Sequence, residues 1–108
     1  MATISVEELA ARLDEPNIQL VDVREPEEIA IAVLDRFTLL PLSQFERWSG
    51  QIKEILDPTL ETLVLCHHGV RSGQMCQWLS NQGFSNVKNI TGGIDYYSLK
   101  VDDSIPRY

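Results

Sequence analysis

Apolar residues along this chain fall into short blocks of two kinds. Ile18-Gln19-Leu20-Val21-Asp22-Val23 and Thr62-Leu63-Val64-Leu65 are leucine-rich or β-branched runs, the pattern of strands headed for a buried sheet. Asp14-Glu15-Pro16-Asn17 breaks the chain before the first and Asp57-Pro58 before the second. Thr38-Leu39-Leu40-Pro41 and Val87 to Ile90 are shorter strand candidates, and Thr3 to Val6 can begin an extended segment.

Between these blocks the apolar spacing becomes helical. Ser5 with Glu8 has the form of a capping box opening a helix whose apolar side is Leu9, Leu13 and the neighbouring alanines. Glu25 to Ile31 predicts one or two helical turns, with Pro26 in the first turn. Ser43 with Glu46 predicts a second capping box and a helix reaching about Leu56, with Phe45, Trp48, Ile52 and Ile55 as its stripe. Ser72 to Gln82 reads as a helix presenting Met75, Cys76 and Leu79, stopped by Gly83. Thr91-Gly92-Gly93 permits a tight turn before a last short helix containing Ile94, Tyr97 and Leu99, and residues 101–108 read as a trailing segment.

Strands alternating with amphipathic helices predict an α/β fold, an open and mainly parallel sheet with helices on both faces. At 108 residues the expectation is one domain over 1–108. The apolar fraction of 44% and charged fraction of 23% are those of a folded globular chain. No apolar run reaches the roughly 18 residues of a membrane span, and no basic segment with an apolar core opens the sequence. Cys66 and Cys76 lie close together, unlike the spaced sets of disulfide-stapled domains, so two free thiols and a cytoplasmic setting are expected. Sixteen acidic against nine basic residues give a formal charge of -7, which disfavours nucleic acid and anionic membrane as partners. Any anion site must then be built locally, from amides and a nearby arginine.

In open α/β sheets, sites gather beyond the carboxyl ends of strands. Cys66 stands at such an end, heading the loop Cys66-His67-His68-Gly69-Val70-Arg71-Ser72. A helix amino terminus or a nearby cation favours a thiolate, and consecutive loop amides can form a concave nest of donors, with Gly69 easing the curve. Such a nest suits both a thiolate and the terminal sulfur of a persulfide. Arg71 adds a permanent cation, suited to an oxyanion on an incoming substrate or to closing the loop by hydrogen bonds. Ser72 can cap the following helix or supply one more donor. His67 and His68 lack a metal-ligand spacing and a fourth donor, so no metal is expected, and loop filling or donor selection is their expected role. Cys76, beside Met75 and Leu79, reads as packing. Trp48, Trp78, Tyr96 and Tyr97 read as core or rim aromatics. Asp22 and Arg24 follow a buried strand and are expected to orient the edges of the site.

The loop Cys66 to Ser72, with Asp22-Val23-Arg24-Glu25 and Gly92-Gly93-Ile94, resembles the rhodanese domain over nearly the whole chain. The specific element is a cysteine with glycine three positions later and arginine two after that, here Cys66, Gly69 and Arg71. The resemblance implies a five-stranded parallel sheet and a sulfurtransferase needing no cofactor. Cys66 would accept sulfane sulfur as a persulfide and pass it to cyanide, a thiol or a protein cysteine. A small sulfur-containing anion is the expected donor, thiosulfate ahead of mercaptopyruvate. Residues Ala30 to Phe37 lack the Gly-His and Pro-Gly pairs of many members, and Tyr97 stands near the place of the usual closing tryptophan.

Two other classes use similar parts. Phosphatases and arsenate reductases resemble a cysteine followed by five residues and then arginine, whereas four residues separate Cys66 from Arg71. The smaller ring suits sulfur better than a phosphoryl group, and the loop holds no acid for a leaving alkoxide. A non-catalytic sulfur carrier or protein-interaction module is the third class, distinguished by partner capture without sulfur transfer.

Overall fold

The computed structural model describes residues 1–108. Five strands, β1 (Thr3–Ile4), β2 (Ile18–Asp22), β3 (Thr38–Leu39), β4 (Glu61–Leu65) and β5 (Val87–Ile90), form one sheet in the order β1-β5-β4-β2-β3. Every pairing is parallel. The longest strands occupy the centre, with Leu20 opposite Leu63 and Val21 opposite Val64, and the two edges are strands of two residues each. Short edges leave few unpaired backbone groups for another chain to join.

Although β4 reads as one apolar run, its side chains alternate between two layers, as strand geometry requires. Leu63 and Leu65 enter a cluster with Leu9, Leu20, Ile94, Tyr97 and Ile105. That layer holds α1 (Val6–Arg12) and α6 (Gly93–Lys100). Val64 and Cys66 enter the other cluster, with Val21, Trp48, Ile52, Met75 and Leu79. That second layer holds α3 (Phe45–Trp48), α4 (Ile52–Ile55) and α5 (Val70–Asn81). Helices therefore cover both faces, as the alternation predicts. The Ser5 and Glu8 capping box opens α1 as expected, and Arg12 at its other end meets Glu61, which also binds Lys88 at 2.5 Å. Pro26 opens the six-residue α2 (Pro26–Ile31).

Four expectations need correction. The helix predicted from Ser43 to Leu56 is instead two single-turn α-helices separated and preceded by 3-10 turns at Leu42–Gln44 and Ser49–Gln51. Ser43 makes no cap, because its hydroxyl is bonded to the Glu25 carboxylate, and Ser49-Gly50 supplies the weak point between the turns. Ile55 and Leu99 lie exposed rather than in the core. The helix after the loop starts at Val70, not Ser72, because Gly69 in a left-handed conformation already caps it. Residues 101–108 are packed rather than trailing, since Ser98 donates to the Ile105 carbonyl at 2.6 Å and Arg107 holds Asp95 at 2.9 Å.

Leu63 is fully buried at the sheet centre. Leu63→Ala removes apolar contacts and leaves a cavity that paired neighbouring strands cannot fill by collapsing. We expect it to lower unfolding free energy by about 3 kcal/mol, measured by urea denaturation, with an unchanged slope.

Candidate active site

Strand β4 delivers Cys66 to the layer beneath α5, where the residue is only 1% exposed. The backbone then turns sharply through Gly69, whose φ of 101° is open to glycine and costly for other residues. The turn aims the Gly69 amide at the Cys66 Sγ, 3.0 Å away, while Ser72 Oγ lies 3.2 Å from the same sulfur. Ser72 therefore serves the loop as a polar neighbour of the thiol, not as a cap. Asn89 on β5 fixes both groups: its amide nitrogen donates to the Gly69 carbonyl at 2.8 Å, and its oxygen accepts from the Ser72 hydroxyl at 2.5 Å. Because a carbonyl can only accept, the Gly69 contact decides which end of the Asn89 amide faces Ser72.

The opposite wall comes from the start of α6. Ile94 donates its amide to the Cys66 carbonyl at 2.9 Å and Asp95 to that of His67 at 3.2 Å. Gly93 lies so close that a Cβ there would stand 2.4 Å from both carbonyl oxygens, and its φ is +63°. The expected Gly-Gly turn is thus a clamp on the first two peptides of the loop. Next to it, Tyr96 packs over Gly92 and is exposed, whereas Tyr97 is buried in the core. Tyr96 therefore occupies the rim, and Tyr97, near the place of the usual closing tryptophan, lies in the core, as the helical phase of α6 requires.

Arg71 lies in the first turn of α5 and forms a bidentate pair with Glu28 of α2, at 2.7 and 2.8 Å. The guanidinium, opposed by partial burial, holds the Glu28 carboxyl down to about 2, so Glu28 is ionised. Of the two roles open to Arg71, closing the loop by hydrogen bonds is the one present. Tyr108 donates its hydroxyl to Glu28 at 2.9 Å and accepts from Arg24 at 3.1 Å. Arg24 is itself fully buried and bound to the equally buried Asp22 at 2.8 Å. Asp22 and Arg24 therefore reach the loop through Tyr108 and Glu28, and not by touching Cys66.

His67 stacks on the Tyr108 ring at 3.9 Å with planes 9° apart, and His68 stacks on His67 at 3.9 Å. The two histidines are adjacent on the loop, and the Tyr108 ring provides a platform that stacks them together. Burial pushes the His67 imidazole below the usual histidine range, His68 adds to this, and His67 is neutral at pH 7. Its Nε2 is buried without a hydrogen-bond partner. His68 is largely exposed, 3.9 Å from Asp95, and Val70 is 70% exposed beside the loop. Cys76 is buried, and burial raises its thiol to about 12, in keeping with a packing role. No group of three or more His, Cys, Asp or Glu side chains is arranged to hold a metal ion.

The structure thus gathers Cys66, His67, Gly69, Arg71 and Ser72 around one short turn and adds Glu28, Asn89, Asp95 and Tyr108, which the sequence reading missed. Glu28 left a partial signal, because it lies three residues after Glu25 and closes a capping box on the Glu25 amide. Asn89 and Tyr108 left none, since their partners are 17 and 80 residues away.

The chain and its fold are similar to those of known proteins. The rhodanese-like domain family matches residues 5–100, and the chain belongs to that family. It is 52% identical over 109 residues to the chloroplastic rhodanese-like/PpiC domain-containing protein 12 of Arabidopsis thaliana, covering 97% of this chain but only 36% of that protein. A sulfurtransferase of Allochromatium vinosum is 35% identical over 92 residues, with 84% of this chain and 82% of that one covered. The crystal structure of a rhodanese-like domain protein from Staphylococcus aureus superposes with a TM-score of 0.79 at 25% identity, covering 100% and 99% of the two chains.

Two outcomes follow from the geometry. Glu28 and Glu61 have carboxyls held at about 2 by their arginine partners, below the ordinary 4.5. A depressed carboxyl contributes stability that is fully present above its unfolded value and is lost as pH falls through the folded one. Melting temperature should therefore decline as pH drops from about 4.5 toward about 2, and the Glu28→Gln and Glu61→Gln variants should each show a shallower decline. Gly93→Ala drives a methyl into the Cys66 and His67 carbonyls in a left-handed conformation. We expect a loss of about 2 kcal/mol or more in denaturant unfolding.

Proposed function

We propose that this chain is a sulfurtransferase that moves sulfane sulfur through a persulfide on Cys66. The observation that carries this reading is the Cys66 Sγ at the end of the central strand, with the Gly69 amide 3.0 Å away and Ser72 Oγ at 3.2 Å. A thiolate attacks the outer sulfur of the donor, the donor's bond to that sulfur breaks, and its electron pair leaves with the remainder of the donor. The Cys66 persulfide then gives its outer sulfur to a nucleophile, and Cys66 departs as the thiolate that began the cycle. With cyanide as acceptor the product is thiocyanate; a thiol acceptor becomes a persulfide.

The residues around Cys66 divide the work. Gly69 presents its amide to a sulfur carrying negative charge, and the Ser72 hydroxyl joins it by turning its hydrogen from Asn89 to the sulfur. Asn89 holds both of those groups, and Gly93 fixes the peptides that aim the thiol. Neutral His67 and the Tyr108 ring form a flat wall. Sulfurtransferase names among the relatives support the class, and membership of the rhodanese-like family supports the resting place of sulfur. The phosphatase reading loses its oxyanion clamp, because Arg71 is already engaged by Glu28.

The test is intact mass of the reduced protein after exposure to thiosulfate, mercaptopyruvate or hydroxyethyl persulfide, and again after cyanide. We expect a gain of one sulfur atom with at least one donor, its removal by cyanide as thiocyanate, and no gain in Cys66→Ser, which keeps shape but cannot form a persulfide. Sulfur on the serine variant, or on no protein at all, refutes the proposal.

A further inference from the structure

The positive charges around Cys66 are all engaged. Arg71 forms its bidentate pair with Glu28. Arg24 is sealed against Asp22, and Arg107 holds Asp95 at 2.9 Å. Burial keeps His67 below the usual histidine range and hence neutral. Lys100, on the helix that also carries Asp95, lies 5.0 Å over the Tyr96 ring. Tyr108 braces the central pair by donating to Glu28 and accepting from Arg24. The loop therefore offers amide donors but no net positive charge, in a chain of formal charge -7.

Sulfur donors differ in the charge they bring and release. Thiosulfate arrives as a dianion, and transfer of its outer sulfur to the Cys66 thiolate releases sulfite, also a dianion. An organic persulfide, R–S–SH, loses the same outer sulfur while only a single thiolate R–S⁻ departs. In both cases one S–S bond breaks as one Cys66–S bond forms, with no net oxidation. A site whose arginine is already neutralised stabilises a departing dianion poorly and a departing monoanion at less cost. The surface beside the loop points the same way: Val70 and Tyr96 are exposed and apolar, suited to the carrier of a persulfide and not to a small hydrated oxyanion.

We propose that Glu28, braced by Tyr108, is a specificity-determining residue that neutralises Arg71, and that the sulfur donor is an organic persulfide in preference to thiosulfate. The proposal rests on Cys66 being the sulfur-carrying residue and deepens that reading. Its physical content is one of charge sign. Removing the Glu28 charge frees Arg71 for an oxyanion, whereas removing Arg71 leaves a bare carboxylate that repels one.

The experiment measures the rate of sulfur loading on Cys66, by intact mass, from thiosulfate and from hydroxyethyl persulfide, in the native protein, Glu28→Gln and Arg71→Ala. Circular dichroism confirms folding of each. The readout is the ratio of the two rates, which a structural loosening of the loop would leave unchanged. Glu28→Gln should shift the ratio toward thiosulfate by about tenfold, the equivalent of about 1.4 kcal/mol, and Arg71→Ala should shift it the opposite way. Two independent variants keep the test decisive should one fail to fold. A ratio unmoved by either variant, or moved in one direction by both, overturns the role of Glu28 while leaving sulfur transfer intact. Failure of both donors to load native Cys66 overturns this inference, and the sulfur-transfer reading falls with it when mercaptopyruvate also leaves Cys66 unloaded.

Discussion

Strand β4 has a paired neighbour on each edge and a packed layer on each face, so it cannot slip or tilt without disturbing most of the core. A shift of one residue would carry Leu63 and Leu65 into the layer of Val64 and Cys66. The register therefore fixes which way the thiol faces. What the loop adds is local: a left-handed Gly69 bends the chain back so that an amide meets the sulfur, and Gly93 clamps the peptides just before that bend. Rigid delivery from the sheet and close steric contact from α6 together keep a short, tight turn in place.

Charge at the site follows a different logic. Each arginine near Cys66 is matched by a carboxylate from another element: Arg71 by α2, Arg24 by the end of β2, Arg107 by α6. A buried guanidinium without a partner would be costly, which accounts for the complete pairing of Arg24. Arg71 and Glu28 are less buried, and their bond does something else. It ties the loop to α2, an element with no buried side chain of its own. Tyr108 extends that tie to Arg24, so three segments far apart in sequence converge on one carboxylate.

Strands, helix faces and the position of Cys66 were legible in the sequence because they depend on local periodicity and on the residue at a strand's end. The predicted capping box at Ser5 formed because its two members had no competing partner, while the one at Ser43 failed because Glu25, distant in sequence, took the serine hydroxyl. The helix before Leu56 broke at Ser49-Gly50, where propensity is weak and packing of Trp48 and Ile52 sets the direction. Residues 101–108 misled because a polar, proline-containing stretch carries no periodicity, yet Ile105 and Tyr108 are placed by single contacts. Glu28, Asn89 and Tyr108 belong to the site only through tertiary pairing, which one sequence does not display.

The hydrogen bonds around Cys66 also have a direction. Asn89 must turn its nitrogen to the Gly69 carbonyl, so its oxygen faces Ser72 and takes the single hydroxyl hydrogen. The Ser72 oxygen is then left as an acceptor, which matches a Cys66 carrying its own proton. Once that proton is gone, or replaced by a sulfur atom, the same oxygen would face negative charge. The contact becomes favourable again only if the hydroxyl hydrogen rotates from Asn89 to sulfur, at the cost of one neutral hydrogen bond and in exchange for a stronger charge-assisted one. The Gly69 amide needs no such change, because its hydrogen already points at the sulfur. The site thus combines one fixed donor with one that reorients, and the fixed donor is the one set by the left-handed turn at Gly69.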